Sequence, residues 1–459
     1  MTKKTVENQV NTRALVMDML LEVIQNGAYS HIVIRDVLNK YNYLSNQEKS
    51  FMKRLFEGTL ERMIEIDYWL NLYSKVKVTK MKPVIRTIMR MGVYQILYMD
   101  AVPDAAACNE AVKLAQKKGF ATLKGFVNGV LRNIARNKAS LEYPDKEKDV
   151  VSFFSVKYSM PEWIVQLWIE QLGKEKTEQI LAGLLAEHPV TVRFRDCDEA
   201  YIEKVRKTVE KQGGALVQHP YLSYAYRIEK TDDLTRLPGF AEGKFVIQDV
   251  SSMLAMEVLD IKPGMQILDI CAAPGGKSML AADFLQKKGL VEARDISQSK
   301  VTMMQENFDR CRLEHVKAVV WDALAFDENW REKADVVIAD IPCSGLGIMG
   351  KKRDIKYKMN EESVKSIEIL QSQILEKAVS YVKPGGKLLF STCTINQKEN
   401  EAHAALLQEK YHMTPVSLDG KLPKVLCGET TAKGYLQLLP GIHETDGFFI
   451  SVFCKQEKG

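Results

Sequence analysis

Along residues 13 to 136, apolar side chains return every three or four positions in "ALVMDMLLEVI", "SFMKRLFEGTLERMIEIDYWLNLY", "VIRTIMRMGVYQILYM" and "AAACNEAVKLAQKKG". That period places one stripe of each segment on a buried face and predicts helices. Gly27, Pro83, Pro103 and Gly119 interrupt the pattern where turns are needed. Residues 1–140 therefore read as an all-α domain, closed by the polar, proline-containing "SLEYPDKEKDV" at 140–150. Two more helical stretches, "PEWIVQLWIEQLG" and "EKTEQILAGLLAEH", precede "VTVRFR", a helix through "AYIEKVRKTVEKQGG", and "YAYRIE". This mixture predicts a small α/β connector over 141–240.

Beyond Gly239 the period changes. Short runs rich in β-branched residues, "QILDIC", "LVEARDI", "AVVWDA", "DVVIADI" and "KLLFSTC", alternate with helical segments. Such runs imply a parallel sheet covered by helices on both faces. "GYLQLLP" and "GFFISVFCK", separated by "GIHETD", predict a terminal antiparallel pair. Residues 241–459 thus read as a Rossmann-like α/β domain, in which ligands sit at the carboxyl ends of the strands.

The length of 459 residues agrees with several domains, each burying its own core. The formal charge of +5 is uneven: residues 1–140 hold 22 Lys plus Arg against 12 Asp plus Glu, so the basicity belongs to the helical part. A polyanion held there is one explanation and a solvated helical surface is the other. The eight cysteines never fall at the paired spacings of a zinc site, so no metal is expected, and their scatter is unlike a secreted disulfide framework. With no signal-peptide pattern and no membrane-length apolar run, a cytoplasmic protein with reduced thiols is expected.

"LDICAAPGGKSML" (268–280) reads as strand, glycine turn and helix start, with Cys271, Ala272, Ala273, Pro274, Gly275, Gly276 and Lys277 forming the turn. It matches neither the dinucleotide nor the phosphate-loop pattern. Asp269, Asp295, Asp322 and Asp340 stand at or just past four consecutive strand ends. Together they suit a ligand with ribose hydroxyls, an exocyclic amine and a positive centre, a description that S-adenosylmethionine meets. Singly, each could be a turn or capping residue. Two of the apolar runs also end on a cysteine, Cys343 and Cys393. Most free cysteines only pack as small hydrophobes, and a disulfide between these two is another reading.

The motifs "QDVSS", "DICAAPGGKS", "DIPCSGLG", "STCT" and "HETDGFF" occur in the order found in RNA cytosine-C5 methyltransferases. "GVYQILYMDAVPDAAACNEAVKLAQ" and "GFVNGVLRNIAR" resemble a NusB-like domain. The chain resembles, over nearly its whole length, the bacterial 16S ribosomal RNA (cytosine-C5)-methyltransferases that fuse the two. The resemblance implies S-adenosylmethionine as cofactor and methylation of a cytosine of the position-967 type. It also implies 16S ribosomal RNA as partner before full subunit assembly, with no membrane, and a monomer. Cys393 is then the nucleophile and Cys343 assists product release, with Asp340 and Lys277 as further catalytic candidates. The cofactor set is residues 271–277 with Asp295, Asp322 and Asp340. Beside the Cys343 motif, Lys351, Lys352, Arg353, Lys356 and Lys358 give five cations in eight positions, a candidate RNA-phosphate contact with Tyr357 available for stacking. Other readings are a noncatalytic RNA-binding or antitermination factor, a methyltransferase acting on another RNA, and a DNA cytosine methyltransferase.

Overall fold

The computed structural model describes residues 10–187, 189–230 and 234–457. It divides into two compact units rather than three domains. One runs up to Leu185 and adds Met349–Lys358; the other comprises Ala186–Ile348 and Met359 onward.

In the first unit seven helices span Thr12–Asn26, Ser30–Lys40, Asn46–Glu61, Met63–Tyr73, Pro83–Tyr98, Asp104–Lys117 and Lys124–Asn137. The helix Pro83–Tyr98 begins on a proline at its first turn, where a missing N–H costs nothing. It then buries Ile85, Ile88, Met89, Val93 and Ile96 in the unit's core. Its one buried arginine, Arg90, forks onto Asp67 at 2.7 and 2.6 Å, a bidentate pairing of the two charges. The polar stretch at 140–150 is no free linker. Tyr143 packs edge-on against Trp69 with centroids 5.3 Å apart, and its hydroxyl donates to the buried Glu65 at 2.6 Å. Helices Val150–Lys157, Glu162–Leu172 and Lys174–Leu185 follow in the same unit.

Residues 349–358 correct the sequence reading more sharply. This strap holds all five basic residues proposed for RNA, and three of them are spent within the helical unit. Arg353 pairs with Glu57 at 3.2 Å and Glu61 at 2.9 Å. Lys356 is 4% exposed and donates to the backbone carbonyls of Glu61 and Ser159. Lys358 donates to the carbonyl of Ala28 and pairs with Asp354, which in turn accepts from the backbone and hydroxyl of Ser30. Tyr357 gives its hydroxyl proton to the carbonyl of Leu60 at 2.7 Å, so it is not a base-stacking side chain awaiting RNA. Lys351 and Lys352 are exposed. Arg353→Ala should accordingly lower stability by roughly 1 to 3 kcal/mol, the cost of leaving two half-buried carboxylates without their donor. It should leave the salt dependence of RNA affinity unchanged, whereas loss of a true phosphate contact would flatten the log-log slope by about 0.7. Denaturant titration and RNA binding at several salt concentrations measure both.

The second unit contains two sheets. The smaller is antiparallel in the order β2–β3–β1–β4, from β1 (Val190–Phe194), β2 (Ala215–Gln218), β3 (Ala225–Glu229) and β4 (Phe245–Ile247). The larger has β5 (Gln266–Asp269), β6 (Leu290–Asp295), β7 (Val316–Val320), β8 (Ala334–Asp340) and β9 (Val382–Thr392) as its parallel centre, ordered β7–β6–β5–β8–β9. Antiparallel β12 (Phe448–Cys454) adds to β9, and β10 (Thr414–Pro415) and β11 (Tyr435–Leu438) pair with β12. The five parallel strands and terminal pair thus form as the alternation of the sequence implied. Strand order reverses between β5 and β8, opening a crevice at their carboxyl ends. Among the described residues no helix is long and apolar enough to cross a membrane.

Candidate active site

Strand β5 ends at Asp269, and the chain then turns through 270–275 into the helix Gly276–Leu285. The turn is pinned by Ala272, whose N–H donates to the carbonyl of Arg294 at 2.7 Å, and by Gly275, whose N–H donates to that of Ala272 at 2.7 Å. Gly275 has φ +98°, and a Cβ there would also meet the Phe308 ring at 3.0 Å, so glycine is required on two counts. A cavity of about 270 Å³ lies against this turn, lined by Gln248, Asp249, Asp269, residues 271–274, Gly276, Lys277 and Asp340, with Ile247 and Ser252.

The donor and acceptor set of this cavity fits a cationic cofactor. Asp269 is buried, and its Oδ2 accepts from Ser278 at 2.6 Å while its Oδ1 has no partner. Burial pushes its carboxyl up to about 7, against the pull of Ser278 and of the nearby Lys277. A buried acceptor of this kind is satisfied by an N–H donor or a positive centre. S-adenosylmethionine carries both an ammonium and a sulfonium. A cationic ligand favours the ionised carboxylate, so its affinity should rise with pH up to about 7 and level off above. At pH 6 binding should be about tenfold weaker than the plateau, and Asp269→Asn should remove the dependence; calorimetry at several pH values reads the slope.

The remaining aspartates separate. Asp340 sits at the end of β8, where it accepts from Lys277 Nζ at 2.6 Å and from Ser391 Oγ at 2.9 Å. Lys277 is itself buried, with its ammonium 4.9 Å over the Phe448 ring, so it is not a solvated first-turn lysine. Asp295 ends β6, largely buried, accepting from the backbone of Ser297 at 3.0 Å and facing Lys300 at 3.4 Å. Asp322 is exposed and accepts from the backbone of Leu324, the geometry of a turn residue. Neither Asp295 nor Asp322 lines the cavity that holds Asp269 and Asp340. Cys271, beside Asp269 and in the cavity lining, has its thiol pushed well above the ordinary range by burial.

β8 and β9 are neighbours, and the two cysteines that follow them come within 3.1 Å, Sγ to Sγ. All eight cysteines are reduced. A hydrogen bond to Cys393, together with burial and the charges of Cys393 and Glu399, raises the Cys343 thiol well above its usual value. Either sulfur can be the donor in this contact. The loops are knitted by glycine contacts: Gly347 donates to the carbonyl of Cys393 at 3.0 Å and accepts from Gly447 at 2.9 Å. A Cβ on Gly347 would lie 2.1 Å from the Gly447 carbonyl oxygen. The motifs "DIPCSGLG", "STCT" and "HETDGFF" are thus three touching loops.

Sequence reasoning missed Glu399. It is fully buried and accepts from the Ser344 backbone at 2.8 Å and hydroxyl at 2.5 Å, from Gln371 at 3.1 Å and from Asn396 at 3.2 Å. Its only trace in the sequence is an acidic residue six positions after Cys393 in "STCTINQKEN", which by itself reads as solvated polar loop.

Comparison with known proteins agrees with both units. The family model described as 16S rRNA methyltransferase RsmB/F matches residues 256–454, and the NusB family model matches residues 10–136. The chain is 34% identical to the probable ribosomal RNA small subunit methyltransferase B of Bacillus subtilis (strain 168), across 98% of this chain and 99% of that one. It is 27% identical to ribosomal RNA small subunit methyltransferase B of Klebsiella pneumoniae, across 98% and 99%. The crystal structure of PH0851 shares the fold with a TM-score of 0.78 at 24% identity, covering 97% of this chain and 99% of its own. A methyltransferase homolog protein from Pyrococcus horikoshii does so with a TM-score of 0.57 at 24% identity, over 67% of this chain and 99% of its own. With a NusB-type helical domain ahead of an S-adenosylmethionine-dependent methyltransferase sheet, the chain belongs to the ribosomal RNA small subunit methyltransferase B family.

Proposed function

We propose that the protein methylates carbon 5 of a cytosine in 16S ribosomal RNA, of the position-967 type, through a covalent adduct with Cys393. The observation that carries this reading is the pair of thiols 3.1 Å apart at the ends of β8 and β9, beside an Asp340–Lys277 pair that also lines the cofactor cavity. Carbon 5 of cytosine is a poor nucleophile. Addition of a thiolate at carbon 6 turns the ring into an enamine whose carbon 5 can attack an electrophile. S-adenosylmethionine, when bound, supplies the electrophilic methyl group.

In this reading Cys393 attacks carbon 6 as the thiolate, with Cys343 as its protonated neighbour. Asp340 holds a proton on ring nitrogen 3, which draws charge away from carbon 6 as the sulfur adds. Lys277 keeps Asp340 oriented through its 2.6 Å contact. A base then removes the carbon 5 proton, the electron pair re-forms the carbon 5–carbon 6 double bond and Cys393 leaves as the thiolate, a release that Cys343 assists. Lys351 and Lys352 are the exposed members of the basic strap, and Asp295 and Asp322 are cofactor residues by resemblance.

The test is incorporation of labelled methyl from S-adenosylmethionine into naked 16S RNA, partly assembled small subunits, other RNA and DNA, with 5-methylcytosine mapped in ribosomal RNA with and without this gene. The expected result is one 5-methylcytosine in 16S RNA that depends on the gene. Binding without methyl incorporation would favour a noncatalytic RNA-binding factor.

A further inference from the structure

The buried Glu399 carboxylate stands behind both cysteine loops. Ser344, which immediately follows Cys343, gives it a backbone N–H and a hydroxyl proton. Thr394, which immediately follows Cys393, lies 3.4 Å from the same carboxylate, and the Ser344 and Thr394 hydroxyls are 2.8 Å apart. Gln371 extends the network: it donates both to Glu399 and to the carbonyl of Pro342, the residue before Cys343, and its own oxygen meets His403 at 3.0 Å. Among the described residues the donors to Glu399 are a backbone N–H and neutral side chains, so its charge is held in place by hydrogen bonds. Held so close to Ser344, that charge disfavours a second negative charge on the Cys343 sulfur.

We infer that Glu399 is a positioning residue for methyl transfer: its carboxylate holds the two cysteine loops at hydrogen-bonding separation and biases their shared proton toward Cys343, leaving Cys393 as the attacking sulfur. This rests on the reading of Cys393 as the nucleophile. The carboxylate meets the residues that follow the two cysteines, so its effect is exerted through Ser344 and Thr394. A single buried charge thereby sets both the spacing of the pair and the division of work within it.

The experiment compares wild type, Glu399→Gln and Glu399→Asp in full-length protein. It reads methyl transfer rate, S-adenosylmethionine affinity by calorimetry, and the ratio of Cys393 to Cys343 alkylation by limiting iodoacetamide, resolved by peptide mass. Glu399→Gln should bind cofactor normally, lower kcat by roughly 10- to 100-fold, and shift alkylation toward Cys343 by about fivefold. Glu399→Asp keeps the charge but shortens its reach, so it should retain the wild-type alkylation ratio while kcat falls. Unchanged kcat and ratio in Glu399→Gln would overturn the inference. Should Glu399→Gln fail to bind cofactor, Glu399→Asp decides alone: wild-type kcat, or a lost alkylation preference, overturns it. Methyl transfer surviving in Cys393→Ser would instead overturn the assignment of the nucleophile, whatever Glu399 does.

Discussion

Methyl transfer should fall below detection in Cys393→Ser, whereas Cys343→Ser should accumulate a covalent RNA–protein adduct. The asymmetry follows from the order of bond making. Addition to carbon 6 requires a thiolate, and a serine hydroxyl at position 393 is too weak an acid to supply the equivalent nucleophile. Cys343 enters after methyl transfer, so its loss blocks the exit rather than the entrance. The 3.1 Å separation lets either sulfur reach a common substrate position, which is why distance alone does not assign them. Denaturing electrophoresis of each variant with labelled RNA separates the cases. An adduct that persists in Cys393→Ser and disappears in Cys343→Ser would exchange the two roles.

Asp340→Ala should remove activity and also destabilise the second unit by about 2 to 4 kcal/mol, because breaking a buried ion pair strands its partner. The stranded group is Lys277, whose side chain is 7% exposed. Its remaining neighbours are the Phe448 ring and, through space, the Asp269 carboxylate, both weaker partners than a hydrogen-bonded carboxylate at 2.6 Å. The double variant Asp340→Ala with Lys277→Met should recover most of the lost stability, since neither charge is then left buried, while activity stays absent. Chemical denaturation and methyl incorporation on the same preparations decide this. A double variant as unstable as Asp340→Ala would mean that the ion pair is not what the single change broke, and an active Asp340→Ala would remove that carboxylate from the chemistry.

The sheet was legible because its strands differ in kind from the helices between them: runs such as "DVVIADI" and "KLLFSTC" are buried on both faces and carry no helical period. Their ends delivered Asp269 and Asp340 to one cavity and Cys343 and Cys393 to adjoining loops, as strand-end placement requires. Other features were hidden for physical reasons. Lysine and arginine in "KKRDIKYK" carry the same charge whether they face water or donate to buried carbonyls, and only the folded partners Glu57, Glu61, Ala28 and Ser159 tell the two apart. Likewise "SLEYPDKEKDV" has the composition of a linker, yet Tyr143 within it is fixed on Trp69 and Glu65. Glu399 escaped notice because its donors come from positions 344, 371 and 396, a grouping made by the parallel pairing of β8 and β9 rather than by local spacing.

The strap at 349–358 also bears on how the protein is made. The helical unit leaves the ribosome first, but its last ten residues are encoded more than 160 positions after Leu185. At ordinary synthesis rates that interval lasts about 8 to 35 s. During it Glu57 and Glu61 await Arg353, the Ser159 and Glu61 carbonyls await Lys356, and Ser30 awaits Asp354. The amino-terminal unit therefore cannot complete its native contacts in order of synthesis; it closes only after β8 and the Cys343 loop have themselves been translated.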